Sequence, residues 1–321
     1  MFEVKVVNKV EVAQRIATFS LEPIGDDSLP EWAPGAHIDV EVPTADGSTL
    51  LRQYSLCSLP SDPYWRIAVL ETLDSRGGSQ AMHAAIEVGQ VLQVSEPRNN
   101  FPLHDDDSPA ILVAGGIGIT PMIPMSWALY GRSVPFVLHY QYRDEQAAAF
   151  RDELLKAPFA ASIRFASDQD SNPKEQLPAA VADADTKSHL YSCGPAGFID
   201  AAETAAAAEG LSAHRIHREL FSAVQSNPND ETDQAFELEL SLSGIIVTVP
   251  EGKTAAMALE EVGVEVPVSC EQGLCGSCLT KVLEGEPDHR DAFLLPEERK
   301  RGDYFTPCCS RAIGDRLVIE L

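Results

Sequence analysis

The sequence predicts a chain of three domains that belong to three classes: all-β, α/β and α+β. Short alternating strands separated by turns, one of them at Pro34-Gly35, predict an antiparallel β-barrel over residues 1–104. A continuous apolar strand and a glycine turn, followed by alternating strands and helices over residues 105–225, predict a doubly wound parallel sheet. After a polar linker at residues 226–235, two alternating strands and a helix precede a cysteine-rich loop, which predicts a small α+β domain over residues 236–321.

Length and composition agree with several packed domains. A chain of 321 residues exceeds one ordinary domain of roughly 150 residues, and a hydrophobic content of 44% is ample for packed interiors.

The net charge of −25 argues against a nucleic-acid partner, because phosphate binding depends on lysine and arginine. The longest apolar stretch, Ile111–Thr120, is interrupted by three glycines and is shorter than the roughly 18 residues that a membrane span needs. Because no leader-like segment opens the sequence, we expect a cytoplasmic, monomeric protein with no membrane partner.

The acidity is concentrated in the last third of the chain. Residues 230–321 contain 19 Asp and Glu against eight Lys and Arg. A solvated surface is the ordinary explanation, and a docking surface for a basic protein is the alternative.

One strand of the predicted barrel carries Arg52, Tyr54 and Ser55. Because side chains alternate along a strand, Arg52 and Tyr54 share one face, and Ser55 lies on the other face or at the edge. Taken singly, the arginine is an ordinary surface charge and the tyrosine an ordinary half-buried aromatic. Their combination with the glycine turn that follows in the chain indicates a phosphate-bearing cofactor.

That glycine turn is Gly77-Gly78-Ser79, which precedes a helix predicted over residues 80–86. Ser79 is predicted to cap the helix, and glycines at a helix N-terminus make an anion site. A plain turn is the alternative.

The α/β domain opens with a strand, a glycine turn and a helix, in the order typical of a dinucleotide site. The turn contains Gly115, Gly116 and Gly118, followed by Thr120 and Pro121. The G-x-G-x-x-G fingerprint would need a glycine where Pro121 stands, so the usual Rossmann signature is absent.

Further along, Cys193-Gly194-Pro195 follows a strand, at the edge where doubly wound sheets bind ligands. Cys193 alone would be interpreted as a small buried hydrophobe.

Helices of the same domain are predicted over Glu145–Lys156 and Ile199–Gly210. The domain closes with a strand that ends near Glu219 and Phe221.

The cysteine loop contains Cys270, Cys275 and Cys278 in the spacing C-x4-C-x2-C, that of a plant-type [2Fe–2S] site. Zinc usually takes two separated C-x2-C pairs or a Cys/His mixture, so zinc fits less well. A disulfide fits an oxidising compartment, which nothing in the sequence suggests. The fourth ligand must come from Cys308 or Cys309, and spacing alone leaves the two open.

These motifs resemble the ferredoxin–NADP reductase superfamily. Arg-x-Tyr-Ser with Gly-Gly-Ser resembles its flavin site, and Gly-Gly-x-Gly-x-Thr-Pro with Cys-Gly-Pro resembles its nicotinamide site. The resemblance implies that the arginine and the helix start hold flavin phosphate, that the tyrosine and serine flank the isoalloxazine, and that a late aromatic covers the ring. The cofactor-binding residues so implied are Arg52, Tyr54, Ser55, Gly77, Gly78, Ser79, Gly115, Gly116, Gly118, Thr120, Pro121, Cys193, Gly194, Pro195 and Phe221. The catalytic residues so implied are Thr120, Cys193, Glu219 and Phe221.

The domain order, with the ferredoxin last, resembles the phthalate dioxygenase reductase family over essentially the whole chain. This resemblance implies a flavin-binding β-barrel, a nicotinamide-binding α/β domain and a C-terminal β-grasp plant-type ferredoxin. It also implies FMN, NADH and a [2Fe–2S] cluster, with electrons passing from NADH to FMN, to the cluster and to a separate Rieske-type oxygenase. The ending Cys308-Cys-Ser-Arg-Ala resembles the ferredoxin closing motif, which implies that Cys308 is the fourth metal ligand beside Cys270, Cys275 and Cys278.

The dinucleotide preference is judged from charge. NADPH sites usually offer arginine or lysine to the 2′-phosphate. Arg143 is the only obvious cation after the second strand of the α/β domain, and residues 167–170 are acidic. The sequence therefore favours NADH.

Two other classes of function remain open. One is a reductase for a cytochrome P450 or for small acceptors, and the other is a non-enzymatic redox sensor that binds NADH. The chain has no Rieske Cys-x-His pair and no haem-ligand motif, so it is not expected to oxygenate a substrate itself.

Overall fold

The chain folds into two compact units, Met1–Phe221 and Ser222–Leu321. The computed structural model describes residues 1–25, 28–44, 47, 49–72, 77–169, 177, 179–182, 185–221, 233–294 and 296–321. The first unit holds a six-stranded antiparallel sheet and a five-stranded parallel sheet, and the second holds a five-stranded mixed sheet. Within the described ranges, no helix has the length and apolarity that crossing a membrane requires.

The antiparallel sheet agrees with the predicted barrel. Its order is β4-β3-β6-β1-β2-β5. A bridge between Leu56 and Ile67 joins the chain after the outer strand β4 to the opposite outer strand β5, which closes the sheet. Alternating apolar side chains fill the interior around Trp65. The strands are β1 (Phe2–Ala13), β2 (Ile16–Pro23), β3 (His37–Pro43), β4 (Thr49–Ser55), β5 (Trp65–Leu70) and β6 (Val91–Val94).

Helix α1 (Gly78–Ala85) follows β5 and packs Met82 into the barrel interior. Its N-cap is Gly77, whose φ of 89° lies in the left-handed region that glycine adopts readily. The predicted capping role of Ser79 is wrong. This residue lies in the first turn of the helix, and its hydroxyl accepts a hydrogen bond from the backbone N–H of Thr72 at 3.0 Å.

The parallel sheet has the order β11-β10-β7-β8-β9. The first strand, β7, is buried at every position and pairs with both β8 and β10, so the strand order reverses there. Doubly wound sheets bind ligands at this switch point, outside the carboxyl ends of the strands. The strands are β7 (Ala110–Gly115), β8 (Phe136–Tyr142), β9 (Ile163–Ser167), β10 (His189–Gly194) and β11 (Ile216–Leu220).

The helices around the parallel sheet include α2 (Ile119–Gly131), α3 (Arg151–Leu155) and α4 (Ala196–Ala208). The prediction of one continuous helix over Glu145–Lys156 is wrong. A 3₁₀ turn at Glu145–Ala147 is separated from α3 by Phe150, whose φ of 61° is left-handed and interrupts the helix.

The second unit has the strand order β13-β12-β16-β14-β15, in which β12 and β16 are parallel. The predicted hairpin is present as β12 and β13, and the helix that follows is capped by the Thr254 hydroxyl, which accepts from the N–H of Met257 at 3.2 Å. The elements are β12 (Phe236–Leu240), β13 (Ile246–Val249), α5 (Ala255–Glu261), β14 (Thr280–Asp288), α6 (Pro296–Arg301), β15 (Tyr304–Phe305) and β16 (Arg311–Ile319).

Residues 226–232 of the predicted linker lie outside the described residues. Asp233, near its end, packs within the second unit. The Asp233 carboxylate accepts a hydrogen bond from the N–H of Gly252 at 2.9 Å and lies 2.7 Å from Arg311 Nε.

Candidate functional site

The first part of the site lies where β4 meets the start of α1. A Cβ added to Gly78 would lie 2.5 Å from Arg52 Nε and 2.9 Å from its Cγ, so a larger residue would displace the arginine. The Arg52 guanidinium also donates to the Leu51 carbonyl at 2.7 Å. A cation therefore lies beside glycine backbone at a helix N-terminus, an arrangement that suits a phosphate.

Tyr54 and Ser55 lie on opposite faces of β4, as predicted. Tyr54 packs half-buried against the barrel core, and this burial raises the pKa of its hydroxyl. Ser55 is buried and faces the parallel sheet, where its hydroxyl donates a hydrogen bond to Glu219 Oε2 at 3.2 Å. The barrel and the last strand of the parallel sheet therefore meet at this pair.

Glu219 lies beside Cys193, because the two residues are paired in the register of β11 and β10. Burial raises the pKa of Glu219 to about 8, although the hydrogen bond from Ser55 favours the carboxylate. Burial, and secondarily the neighbouring glutamate, raises the pKa of the Cys193 thiol well above its ordinary value. The pair thus offers a neutral thiol and a carboxyl group that ionises near neutral pH.

The two motifs predicted to bind nicotinamide form one backbone surface at the switch point. A Cβ on Gly118 would lie 2.2 Å from the carbonyl oxygen of Cys193. A Cβ on Gly115 would lie 3.1 Å from Pro195, and one on Gly194 would lie 3.0 Å from the Cα of Gly115. Side chains at these glycines would force the two strand ends apart, so the glycines are required by packing.

The remaining predicted residues surround this surface. Gly116 has a left-handed φ of 55° and open space where a Cβ would stand. Thr120 and Pro121 are buried in the first turn of α2, where the Thr120 hydroxyl donates to the Ile117 carbonyl at 3.0 Å. Phe221 follows β11 and is 39% exposed, so its ring is open to contact a ligand.

In the second unit, the structure brings the four predicted metal ligands together as buried thiols. The Cys270 thiol is within hydrogen-bonding distance of the thiols of Cys275 and Cys308, and the Cys278 thiol is within that distance of Cys308. The Cys275 and Cys308 thiols lower the pKa of Cys270, and the Cys308 thiol lowers the pKa of Cys278. The same contacts raise the pKa of Cys275 and Cys308, so the four thiols are close enough to share protons, and a bound metal would hold them as thiolates.

Backbone N–H groups point towards the sulfurs of this loop. Cys270 Sγ accepts from the N–H groups of Gln272 at 3.4 Å and Leu274 at 3.3 Å, and Cys275 Sγ accepts from Ser277 at 3.4 Å. Four converging thiols with N–H groups directed at them fit an iron–sulfur cluster, whose ligand sulfurs are usually hydrogen-bonded in this way.

Cys308 and Cys309 occupy different environments. Cys308 is buried within reach of the thiols of Cys270 and Cys278, whereas the Cys309 thiol lies 3.3 Å from Thr306 Oγ1 and packs against Gly273, where an added Cβ would lie 2.5 Å from its sulfur. This geometry favours Cys308 as the fourth ligand.

Some residues that shape the site were not found by sequence reasoning. Arg66 of β5 and Glu153 of α3 form a two-pronged ion pair, at 2.9 and 3.0 Å, between the barrel and the parallel-sheet region. Asp291 has a fully buried carboxylate, and its Cα and Cβ pack against Gly273 in the cysteine loop. Arg66 and Glu153 are distant in sequence, as are Gly273 and Asp291. Because neither pair belongs to a local motif, no sequence signal pointed to these contacts.

Comparisons with known proteins agree with this geometry. The family described as a 2Fe-2S iron-sulfur cluster binding domain matches residues 238–312. A vanillate O-demethylase oxidoreductase from Pseudomonas sp. is 41% identical over 100% of this chain and 100% of its own length. The carnitine monooxygenase reductase subunit of Escherichia coli is 36% identical over 100% of this chain and 98% of its own length.

Solved structures that match the whole chain include two that bear on its function. Phthalate dioxygenase reductase, described as a modular structure for electron transfer from pyridine nucleotides to [2Fe–2S], has a TM-score of 0.75 at 33% identity and is matched over 98% of its length. An intact type IV self-sufficient cytochrome P450 monooxygenase has a TM-score of 0.84 at 34% identity, and this chain spans 41% of that longer chain.

Proposed function

This chain belongs to the phthalate dioxygenase reductase family, and we propose that it is the NADH-dependent reductase component of a two-component Rieske oxygenase. Electrons would pass from NADH to FMN, then to a [2Fe–2S] cluster in the second unit, and then to a separate oxygenase chain. The family assignment follows from 33% identity to phthalate dioxygenase reductase over the whole chain, together with full-length identities of 41% and 36% to the vanillate O-demethylase oxidoreductase and the carnitine monooxygenase reductase subunit. Membership of this family makes the chain an oxidoreductase, which confirms the prediction made from the sequence.

The comparisons support the predicted cofactors. The iron–sulfur domain match supports the [2Fe–2S] cluster, and the full-length likeness to phthalate dioxygenase reductase supports FMN and NADH. Bound FMN supplies the exchange between the two electrons of NADH and the single electrons that a cluster carries.

In the proposal, Arg52 pairs with the flavin phosphate. The backbone at Gly77 and Gly78 completes the phosphate site, and the Ser79 hydroxyl donates to the phosphate while its oxygen accepts from Thr72. Tyr54 provides an aromatic surface to the ring system. The support for this arrangement is the packing of the Arg52 side chain directly on Gly78.

The nicotinamide is proposed to lie on the surface that the packed backbones of Gly118 and Cys193 form at the switch point. The Thr120 hydroxyl stabilises the start of α2 there, and the exposed Phe221 ring would cover a bound flavin ring. Glu219 and Ser55 hold a proton at the meeting point of the two sheets, because the Glu219 carboxyl is protonated below about pH 8.

NADH is favoured over NADPH by the surroundings of Arg143. Its Nε lies 2.8 Å from Asp144 Oδ2, and it also donates to the Gln14 side chain at 3.0 Å. The neighbouring strand β9 leads into Asp168, which accepts from Gln141 at 2.5 Å. A neutralised arginine beside an acidic residue offers little attraction to a 2′-phosphate.

The observation that carries the proposal is the Ser55–Glu219 contact, considered with the four-thiol loop in the same chain. It joins β4, the strand that also carries Arg52 and Tyr54, to the strand ends beside Cys193, so a flavin and a nicotinamide bound at these two elements would meet. A cluster held by Cys270, Cys275, Cys278 and Cys308 would pass electrons on one at a time.

The Rieske partner is tested by reconstitution with a purified Rieske-type demethylase oxygenase, NADH and its aromatic substrate. We expect wild-type protein to support product formation, and Cys275→Ala to lose it while retaining NADH-dependent ferricyanide reduction. The matched control is Cys57→Ala, a cysteine buried in the first unit, which should retain both activities. Equal support of product formation by Cys275→Ala would contradict the cluster's place in the path.

A second candidate acceptor is a haem protein. The self-sufficient cytochrome P450 monooxygenase carries a region similar to this whole chain. A haem-dependent oxidative N-demethylase β subunit is 35% identical to this chain over 100% of this chain's length. Faster reduction of a purified cytochrome P450 than of any Rieske oxygenase tested would favour this candidate.

A further inference from the structure

A short segment after β14 lies directly behind the cysteine loop. We call Asp291–Phe293 the back segment. A Cβ on Gly273 would lie 2.7 Å from Asp291 Cα, and a Cβ on Gly276 would lie 2.4 Å from the Phe293 ring. The backbone of the back segment also donates a hydrogen bond to the Gly273 carbonyl at 2.9 Å. Because these glycines alternate with the first three cysteines, the back segment contacts both halves of the loop.

Asp291 connects the loop to the distal ligand. Its side chain has no exposed surface, and its Oδ2 accepts the N–H of Leu294 at 2.7 Å. Its Oδ1 accepts the hydroxyl of Ser310 at 3.4 Å, two residues beyond Cys308. Ser310 in turn accepts the N–H of Arg290 at 3.1 Å. One buried carboxylate therefore links the back segment to the chain that supplies the fourth thiol.

Asp291 has a cationic partner at the surface. Arg299 Nη2 lies 3.8 Å from Asp291 Oδ2 and also donates to the Asp291 backbone carbonyl. The arginine side chain is 34% exposed, whereas the carboxylate is wholly buried. His289 adds a ring nitrogen 3.5 Å from Asp291 Oδ1. Removal of either member of the Asp291–Arg299 pair would leave one charge uncompensated near the loop.

This charge pair bears on the energetics of the loop. A cluster on four thiolates becomes more negative when it accepts an electron, and its reduction potential depends on nearby charge and hydrogen bonds. Charges interact more strongly in a buried setting than in water. The buried carboxylate of Asp291, the residue whose Cα packs against Gly273, disfavours the added electron, and the arginine beside it offsets that effect.

We propose that Asp291 and Arg299 form a charge pair that sets the reduction potential of the cluster, and that Asp291 positions the cysteine loop against the Cys308 segment. The proposal rests on the proposed function, since it requires a cluster on the four cysteines. Asp291 is a positioning residue and touches none of the reacting atoms.

The test is the midpoint potential of the cluster in the full-length, FMN-loaded protein, measured by redox titration with electron paramagnetic resonance. We expect Asp291→Asn to raise the reduction equilibrium constant about tenfold, which is about 59 mV for one electron. Arg299→Gln should shift it in the opposite direction. The control Glu320→Gln removes a carboxylate from an exposed pair with Lys281 at 3.3 Å and should leave the potential unchanged.

The positioning role has its own measurement, the rate of cluster loss to an iron chelator. Asparagine retains an oxygen that can accept from Leu294, whereas alanine does not, so Asp291→Ala should lose its cluster faster than Asp291→Asn. Equal rates would overturn this part of the proposal.

Potentials that are unchanged in both charge variants, or that shift in the same direction, would overturn the charge pair. If Asp291→Asn does not retain a cluster, the Arg299→Gln potential decides alone, and a value equal to or above wild type contradicts the proposal. Failure of the proposed function looks different, because wild-type protein would then show these potentials but support no product formation by a Rieske-type oxygenase. A chain without a cluster would show no reduced-cluster signal at all.

Discussion

The Ser55 hydroxyl donates a hydrogen bond to Glu219 Oε2 across 3.2 Å, and this contact joins the barrel to the last strand of the parallel sheet. The glutamate is also paired with Cys193 in the sheet register. One side chain from the barrel and two from the parallel sheet therefore converge at the carboxyl edge, where the proposed flavin and nicotinamide surfaces meet.

The first prediction concerns pH. Because burial raises the pKa of Glu219 to about 8, the carboxyl is protonated below that pH and ionised above it. We expect the rate of flavin reduction by NADH to fall as the pH rises through about 8, since a carboxylate disfavours electrons arriving beside it. Stopped-flow rates in Glu219→Gln should lack this ionisation, and the exposed control Glu209→Gln should retain it.

Replacing Ser55 should shift the pKa of Glu219 in a direction that can be checked. Its hydrogen bond stabilises the carboxylate, so Ser55→Ala should raise the pKa of Glu219 further and move the midpoint of the rate profile to higher pH. A midpoint that moves to lower pH would be contrary to the assignment.

The second prediction concerns the close approach at Gly118. A Cβ there would lie 2.2 Å from the carbonyl oxygen of Cys193 and 2.5 Å from its carbonyl carbon, and backbone atoms cannot move aside cheaply. Gly118→Ala should cost about 1–3 kcal/mol of stability and weaken NAD+ binding, measured by titration, while flavin content is retained. The control is Gly197→Ala in α4, where a Cβ meets open space. Equal NAD+ affinities in the two variants would exclude this role for Gly118.

The third prediction compares the two sides of the Arg66–Glu153 ion pair. Arg66 also donates to the Cys57 carbonyl at 2.9 Å and lies over the Phe150 ring, so its loss removes more than the ion pair. Arg66→Ala should lower the melting temperature by about 5 °C, and Glu153→Gln by about 2 °C or less, because a partly exposed pair contributes little. The exposed Glu87→Gln serves as control and should have little effect. A larger loss in Glu153→Gln than in Arg66→Ala would refute this ranking.

The fourth prediction separates the two adjacent cysteines. Cys308→Ser should abolish the visible absorption of the cluster, because the Cys308 thiol lies against those of Cys270 and Cys278. Cys309→Ser should retain it, since that thiol packs against Thr306 and Gly273. The reverse outcome would make Cys309 the ligand.

Much of this architecture could be predicted from the sequence, because it depends on local patterns. The apolar run before Gly115 predicts a buried strand, and the alternation in β12 and β13 predicts a hairpin. The spacing of the cysteine loop predicts three thiols on one short segment, and the structure brings them together with Cys308.

The predictions from the sequence are wrong or incomplete where the structure depends on a backbone conformation or on a contact between residues distant in sequence. Ser79 looks like a cap, but the left-handed Gly77 takes that position. A helix pattern continues through Phe150, whose left-handed backbone divides it. Asp291 resembles any acidic residue in an acidic chain, and only folding reveals that it is buried against Gly273.

The central claim is that one chain takes two electrons from NADH and releases them singly through the second unit. The most direct measurement is an anaerobic titration of the purified protein with NADH, followed by visible absorption and electron paramagnetic resonance together. We predict that the flavin band bleaches and that a reduced [2Fe–2S] signal appears within the same titration. A flavin that bleaches while a fully assembled cluster stays oxidised would contradict the account.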